Sequence, residues 1–381
     1  MKSALIASMV LMLHVAAYSG VFIGVTPPTV THGTLDTLTL TVQIVGAENL
    51  VSSSITLEFN ADVIKPVGFD KGEFFEGNPG GYEVHYESLP ALPAVTASVT
   101  ITQAILGSSS ASGAGTLFSI RFAPLKGDET MVSVSSAELR NAANELIEYE
   151  SSPSLVIINI AEVRARAMLE GAFNGVQMRT QITGILPLTQ PFGGLPWYYD
   201  GPEILSPDFF AAHTDIVDWV LVDVRTDLSA ASIVGRRAGL IKNTGAIVDT
   251  DGVSPLHVTA PNHMDYYIVV RHRNHLSVMS SDKVWLGFDE EVYDFSGSAS
   301  QAYGSDAMKL LAPGVYGLYA GEANGDGQIS GTDFNLFMDG FFGIATGYVW
   351  PDFNLDGQVT GLDFNIFYDN YFNIRASRVP E

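Results

Sequence analysis

The sequence predicts a mainly β protein: two β-sandwich domains in series, then a small helical module. Three observations carry this. Alternating apolar and polar runs rich in β-branched residues fill positions 21–160. The same texture returns over 163–318. A tandem repeat with an offset of thirty residues begins beside Gly321.

In the first region, Leu38 to Val45, Ser54 to Phe59 and Ala97 to Ile101 alternate with the two-residue period of half-buried strands. Gly, Pro, Asn and Asp punctuate the runs at short intervals, and no 3.6-residue period lasts beyond two turns. An antiparallel sandwich over 20–160 follows. In the second region, Asp218 to Arg225 reads as a strand, and Ala238 to Val248 as a hairpin turning at Asn243-Thr244-Gly245. Pro187, Pro191, Pro196 and Pro202 mark a long insertion, and a second sandwich over 161–318 is expected. His272-Arg273-Asn274-His275 reads as polar turn residues at a strand end, two histidines being weak grounds for zinc.

The third region, 319–374 with a tail over 375–381, carries the chemistry. Glu322, Asn324, Asp326, Gln328, Ser330 and Asp333 recur as Asp352, Asn354, Asp356, Gln358, Thr360 and Asp363. These are positions 1, 3, 5, 7, 9 and 12 of a twelve-residue loop, with Gly327 or Gly357 at position 6. That spacing wraps a hard cation in oxygen ligands, the residue at 7 contributing its backbone carbonyl. Two Ca2+ ions are expected, since Mg2+ demands a smaller octahedral shell. After each loop, Phe334, Phe337, Met338 and Phe341, then Phe364, Phe367, Tyr368 and Tyr371, fall at i, i+3, i+4 and i+7 of a short helix.

The chain has 381 residues, 42 acidic and 19 basic, a formal charge of −23, and no cysteine. Such acidity repels phosphate backbones and anionic lipid, so nucleic acid is not an expected partner. Zero cysteine removes disulfides, thiolate metal sites and thiol nucleophiles. Lys2, the apolar run Ala4 to Ala17, and Ala17 and Ser19 before Gly20 have the layout of a cleaved secretory leader over 1–19. Export is therefore expected, with no membrane span after cleavage. No Gly-x-Ser-x-Gly elbow, His-Glu-x-x-His helix or dinucleotide fingerprint is present, so no enzyme is expected.

The loop-plus-exit-helix unit lacks the entering helix of an ordinary EF-hand, and residues 321–373 resemble the dockerin family over nearly their whole length. The resemblance implies a calcium-folded module that docks through its helices onto a cohesin domain. Its docking contacts map to Ser330, Gly331, Thr332, Met338 and Asp339, and to Thr360, Gly361, Leu362, Tyr368 and Asp369. Glu322 departs from the family's aspartate by one methylene, and a weaker first site is expected. Ile55 to Val67, Gly113 to Phe122 and Leu139 to Glu145 resemble strand and turn segments of cohesins, which implies a jelly-roll sandwich over 20–160 that receives dockerins. Together these resemblances imply a secreted scaffold whose partners bear cohesins or dockerins, in extracellular complexes linked to polysaccharide. The competing expectation is a carbohydrate-binding surface protein, which an aromatic strip on a solvent-facing sheet would favour.

Overall fold

The computed structural model describes residues 20–78, 80–89, 95–287 and 290–381; the expected leader lies outside them. The chain is mainly β, with a β-sandwich and a small helical module. It divides into two compact units, one ending at Ile160 and one spanning Ala161–Glu381. Among the described residues, no helix is long and apolar enough to cross a membrane.

The first unit contains β1 (Val21–Thr26), β2 (Thr29–His32), β3 (Leu38–Asn60), β4 (Ile64–Lys71) and β5 (Tyr82–Leu89). It continues with β6 (Thr96–Ile105), β7 (Ala111–Pro124), β8 (Glu129–Asn141), β9 (Tyr149–Ser152) and β10 (Ser154–Ile158). The 23-residue β3 organises it. Its first half lies between β1 and β7, with Val42 opposite Val25 and Phe118. Its second half lies between β6 and β8, with Leu57 opposite Val99 and Val134. Pairing slips between Ile44 and Leu50, where the strand changes partners. Gly46 makes this possible: it sits at φ +75°, and a Cβ there would lie 2.7 Å from Gly20 O. Leu38, Leu40, Val42 and Ile44 from one half and Ile55, Leu57 and Phe59 from the other enter one core. Phe59 meets Phe122 edge-on at 5.1 Å, and buried Gln103 donates from Nε2 to Leu117 O at 2.9 Å. The opposite face carries hydroxyl pairs, Ser54–Thr102 at 2.8 Å and Thr56–Thr100 at 2.9 Å.

The second unit is built on a six-stranded sheet of β11 (Ile216–Arg225), β12 (Ile233–Lys242), β13 (Ile247–Val248), β14 (Met264–His272), β15 (His275–Met279) and β16 (Val284–Leu286). Their order is β13-β12-β11-β14-β15, with β16 also on β14. All ten residues of β11 are buried, Asp218, Asp223 and Arg225 included. Burying such charges without partners is prohibitive, so each must be matched from elsewhere in the fold. The expected hairpin forms, with Leu240 opposite Val248 and Gly245 N donating to Lys242 O.

Helices α1 (Gly331–Phe342) and α2 (Gly361–Phe372) follow the two acidic loops. Each starts on a capping box, Ser330 with Asp333 and Thr360 with Asp363. Phe337, Phe353 and Phe367 form their shared core with Ile329 and Val359. Leu276 of β15 belongs to that core, while Leu355 enters the core of the sheet. The boundary expected between 318 and 319 is thus no break in the packing. Residues 375–381 pack against the sheet as well. Arg271 grips Glu381 with both Nη atoms at 2.9 and 3.2 Å, Arg225 donates to Pro380 O, and Val379 packs on Val269 and Met279.

The two repeats close one another. After α1, Ala345 O accepts from Val359 N and Gly347 N donates to Gly357 O, pinning the second loop. After α2, Arg375 O accepts from Ile329 N and Ser377 N donates to Gly327 O, pinning the first.

Candidate metal centre

Each loop is turned around its first acidic side chain. Glu322 Oε1 accepts from Asn324 N and Gly325 N at 3.0 and 2.8 Å, and its Oε2 from Gly327 N at 2.9 Å. Asp352 Oδ1 accepts from Asp356 N at 3.0 Å, and its Oδ2 from Gly357 N at 2.9 Å. The position-6 glycine amide meets the position-1 carboxylate in both, at φ +83° for Gly327 and +88° for Gly357. Asp326 Oδ1 and Asp356 Oδ1 accept from the amides of Gln328 and Gln358. At the helix starts, Asp333 Oδ2 and Asp363 Oδ2 accept from the amides of Ser330 and Thr360 at 2.8 Å.

The carboxylates of Glu322, Asp326 and Asp333 come within 4.8 Å of one another, the one such acidic group among the described residues. Glu322 and Asp333 are buried, and the donor set is oxygen throughout. Burial pushes the Glu322 carboxyl up to about 8, with the Asp333 carboxylate adding to the rise. Burial likewise lifts Asp352 to about 6 against the pull of Arg273, and raises Asp363. Crowded, desolvated carboxylates of this kind fit a hard divalent cation, whose charge would remove the repulsion. The extra methylene of Glu322 does not keep its oxygens from converging with the others.

A pH dependence follows. Between 4.5 and about 8, folded Glu322 holds a proton that the unfolded chain has released, so rising pH favours unfolding. In protein stripped of divalent ions, the second unit should therefore lose stability from pH 7 to pH 8, above the range in which the lowered pKa values of buried His272 and His275 oppose the trend, by up to about tenfold per pH unit in its unfolding constant. Urea titrations across that range check it; a flat or rising profile contradicts it.

The residues expected to meet a partner fall into different environments. Gly331, Thr332, Asp339, Gly361 and Leu362 are exposed, as is Tyr368. Asp369 is exposed but paired with Lys309. Met338 packs against the helix core. Beside them, Phe342, Ile344, Phe372 and Ile374 are 74, 81, 62 and 73 % exposed, an apolar surface at the ends of both helices.

One group was not legible as a site in the sequence. His272 to His275 form a buried turn that grips the second loop. Asp218 accepts from His272 Nε2 at 3.1 Å, Arg273 Nε at 3.0 Å, Tyr348 Oη at 2.8 Å and Trp219 N at 2.7 Å. Asn274 Nδ2 donates to Trp350 O and Asp352 O at 3.1 and 2.7 Å. With Nε2–H on Asp218, His272 presents a bare Nδ1 3.1 Å from His275 Nδ1, whose N–H also meets Asn274 Oδ1 at 2.8 Å, and His275 Nε2 accepts from Gly171 N. Burial lowers the pKa values of both imidazoles, which favours their neutral forms. Burial alone would raise Asp218, but the charges of Arg273 and the hydrogen bonds around it hold it below its ordinary value. Asp223 is matched in the same way by Arg236 and Arg271 at 2.8 and 2.9 Å.

No protein-family model matches the chain, and no curated protein sequence does. Solved structures similar to it include a non-cellulosomal cohesin from the archaeon Archaeoglobus fulgidus, 14% identical, covering 36% of this chain and 91% of that one, with a TM-score of 0.29. Another is the second type II cohesin module of the ScaA scaffoldin of Acetivibrio cellulolyticus, at 16% identity, 36% and 94% coverage and a TM-score of 0.30. A third is a type I cohesin–dockerin complex from Clostridium thermocellum, at 10% identity, 38% and 96% coverage and a TM-score of 0.31.

Proposed function

We propose that this chain is a secreted, non-catalytic adaptor for calcium-dependent cohesin–dockerin assembly, working in extracellular complexes that handle polysaccharide. The first unit receives a dockerin; the duplicated loops, each holding one Ca2+, present α1 and α2 to a cohesin. The observation carrying this reading is the twofold recurrence of one loop geometry, carboxylate 1 to glycine 6 and carboxylate 12 to the helix cap, ahead of helices with exposed apolar ends. The hydroxyl-lined sheet face of the first unit suits a docking surface with a polar rim. Direct glycan contact draws less support there, because among the described residues of that unit none of the exposed large apolar side chains is aromatic.

The test is calorimetry of residues 161–381 against residues 20–160 and against a panel of cohesins and dockerins, with calcium and after chelation. The whole second unit is used because the repeats share their core with the sheet. Binding that appears with calcium and vanishes on chelation is expected; calcium-independent binding, or none to any member of the panel, counts against the reading.

A further inference from the structure

We propose that Arg273 serves as a built-in counter-cation of the second loop and makes the two calcium sites unequal, the first tight and the second weak. The inference rests on the calcium reading above and reverses the order that Glu322 alone suggests.

The Arg273 side chain is 2% exposed. Its Nε is spent on Asp218, one Nη donates to Val349 O, and its guanidinium lies 4.3 Å from the Tyr348 ring centre. The other amine, Nη2, has no hydrogen-bond partner and stands 4.0 Å from Asp352 Oδ2, at position 1 of the second loop. A fixed positive charge in that place does two things. It satisfies part of the carboxylate's demand for a cation without metal, and it repels a divalent ion arriving at the same oxygens. Asn274 holds the backbone of that loop through Asp352 O and Trp350 O, so the charge cannot simply swing away from it.

The first loop has no such guest. Among the described residues no ion pair reaches Glu322, Asp326 or Asp333, and Arg236 and Arg271 face Glu322 and Asp326 only as walls of a shared cavity of about 330 Å³. Its three carboxylates converge, whereas those of the second loop do not form a comparable cluster. Empty, the first loop gathers three carboxyl groups with no paired cation, while the second has Arg273 beside its first carboxylate. The gain on binding Ca2+ is therefore larger at the first.

The experiment is calcium titration of the intact, calcium-stripped chain by calorimetry, with Asp326→Asn, Asp356→Asn and Arg273→Gln beside the parent. Two steps at least about tenfold apart in affinity are expected. Asp326→Asn should abolish the tight step and Asp356→Asn the weak one, neither substitution touching Arg273. Arg273→Gln should strengthen the weak step by about tenfold. Two equal steps, or loss of the tight step in Asp356→Asn, overturn the proposal while leaving the calcium reading intact. Absence of any calcium binding by the parent overturns both. Should Arg273→Gln fail to fold, Arg273→Lys, which keeps the charge on a flexible stem, should leave the weak step weak; a strengthened step would overturn the proposal.

Discussion

Asp218→Ala is expected to destabilise the second unit by about 3–5 kcal/mol, the range for removing one partner from a buried charge pair. Four donors converge on this carboxylate: His272, Arg273, Tyr348 and the Trp219 amide. Without Asp218, a buried guanidinium keeps only a tyrosine ring, a backbone carbonyl and the Asp352 carboxylate 4.0 Å away. The damage should spread to the repeats, because Tyr348 and Val349 stand just before the second acidic loop. Urea unfolding followed by tryptophan fluorescence and helical circular dichroism measures it. Asp218→Asn, which keeps an acceptor but loses the charge, should fall between the parent and Asp218→Ala. A loss under about 1 kcal/mol for Asp218→Ala would mean the network is not what joins sheet and repeats.

Removing calcium should lower the melting temperature of the second unit by on the order of 10 °C while the first unit keeps its own. At an ion concentration a thousandfold above Kd, binding stabilises the folded state by about 4 kcal/mol, and a unit of this size shifts by roughly 2–4 °C per kcal/mol. The loops supply the reason. Glu322, Asp333, Asp352 and Asp363 are all buried, so the ion-free fold holds desolvated acidic groups that a bound ion would satisfy. Because Leu276 and Leu355 knit helices and sheet together, loss of the helical signal should coincide with loosening of the sheet rather than precede it. Calorimetric scans with and without chelator decide this. An unchanged transition, with no ion bound in calcium, would remove the metal from the account.

What the sequence discloses here is what is local. The loop spacing, the short helices after the loops and the alternating strands all depend on residues within about a dozen positions of one another, and the helices and strands lie where the pattern puts them. The buried turn is different in kind. His272 to His275 looks like a solvated strand end because its partners are remote: Asp218 lies 54 positions away and Trp350 76. A usable signal did exist. Asp218, Asp223 and Arg225 interrupt a strand otherwise made of Ile, Val, Leu and Trp, and charges in such a run demand buried partners. Which partners they take is set by how the sheet meets the repeats. No periodicity encodes that. The same holds for the tail, whose Glu381 reads as a solvated acid until Arg271 is seen beside it.

The reciprocal closure of the two loops bears on how such a pair arises by duplication. Each exit strand is spent on its sibling's loop: 345–347 secures the second, 375–377 the first. The unit of inheritance, one loop with one helix, is therefore not the unit of folding. A single copy would hold an open ring and an idle strand, complementary to those of another single copy. Within one chain, a change in either exit segment therefore acts directly on the other repeat's loop.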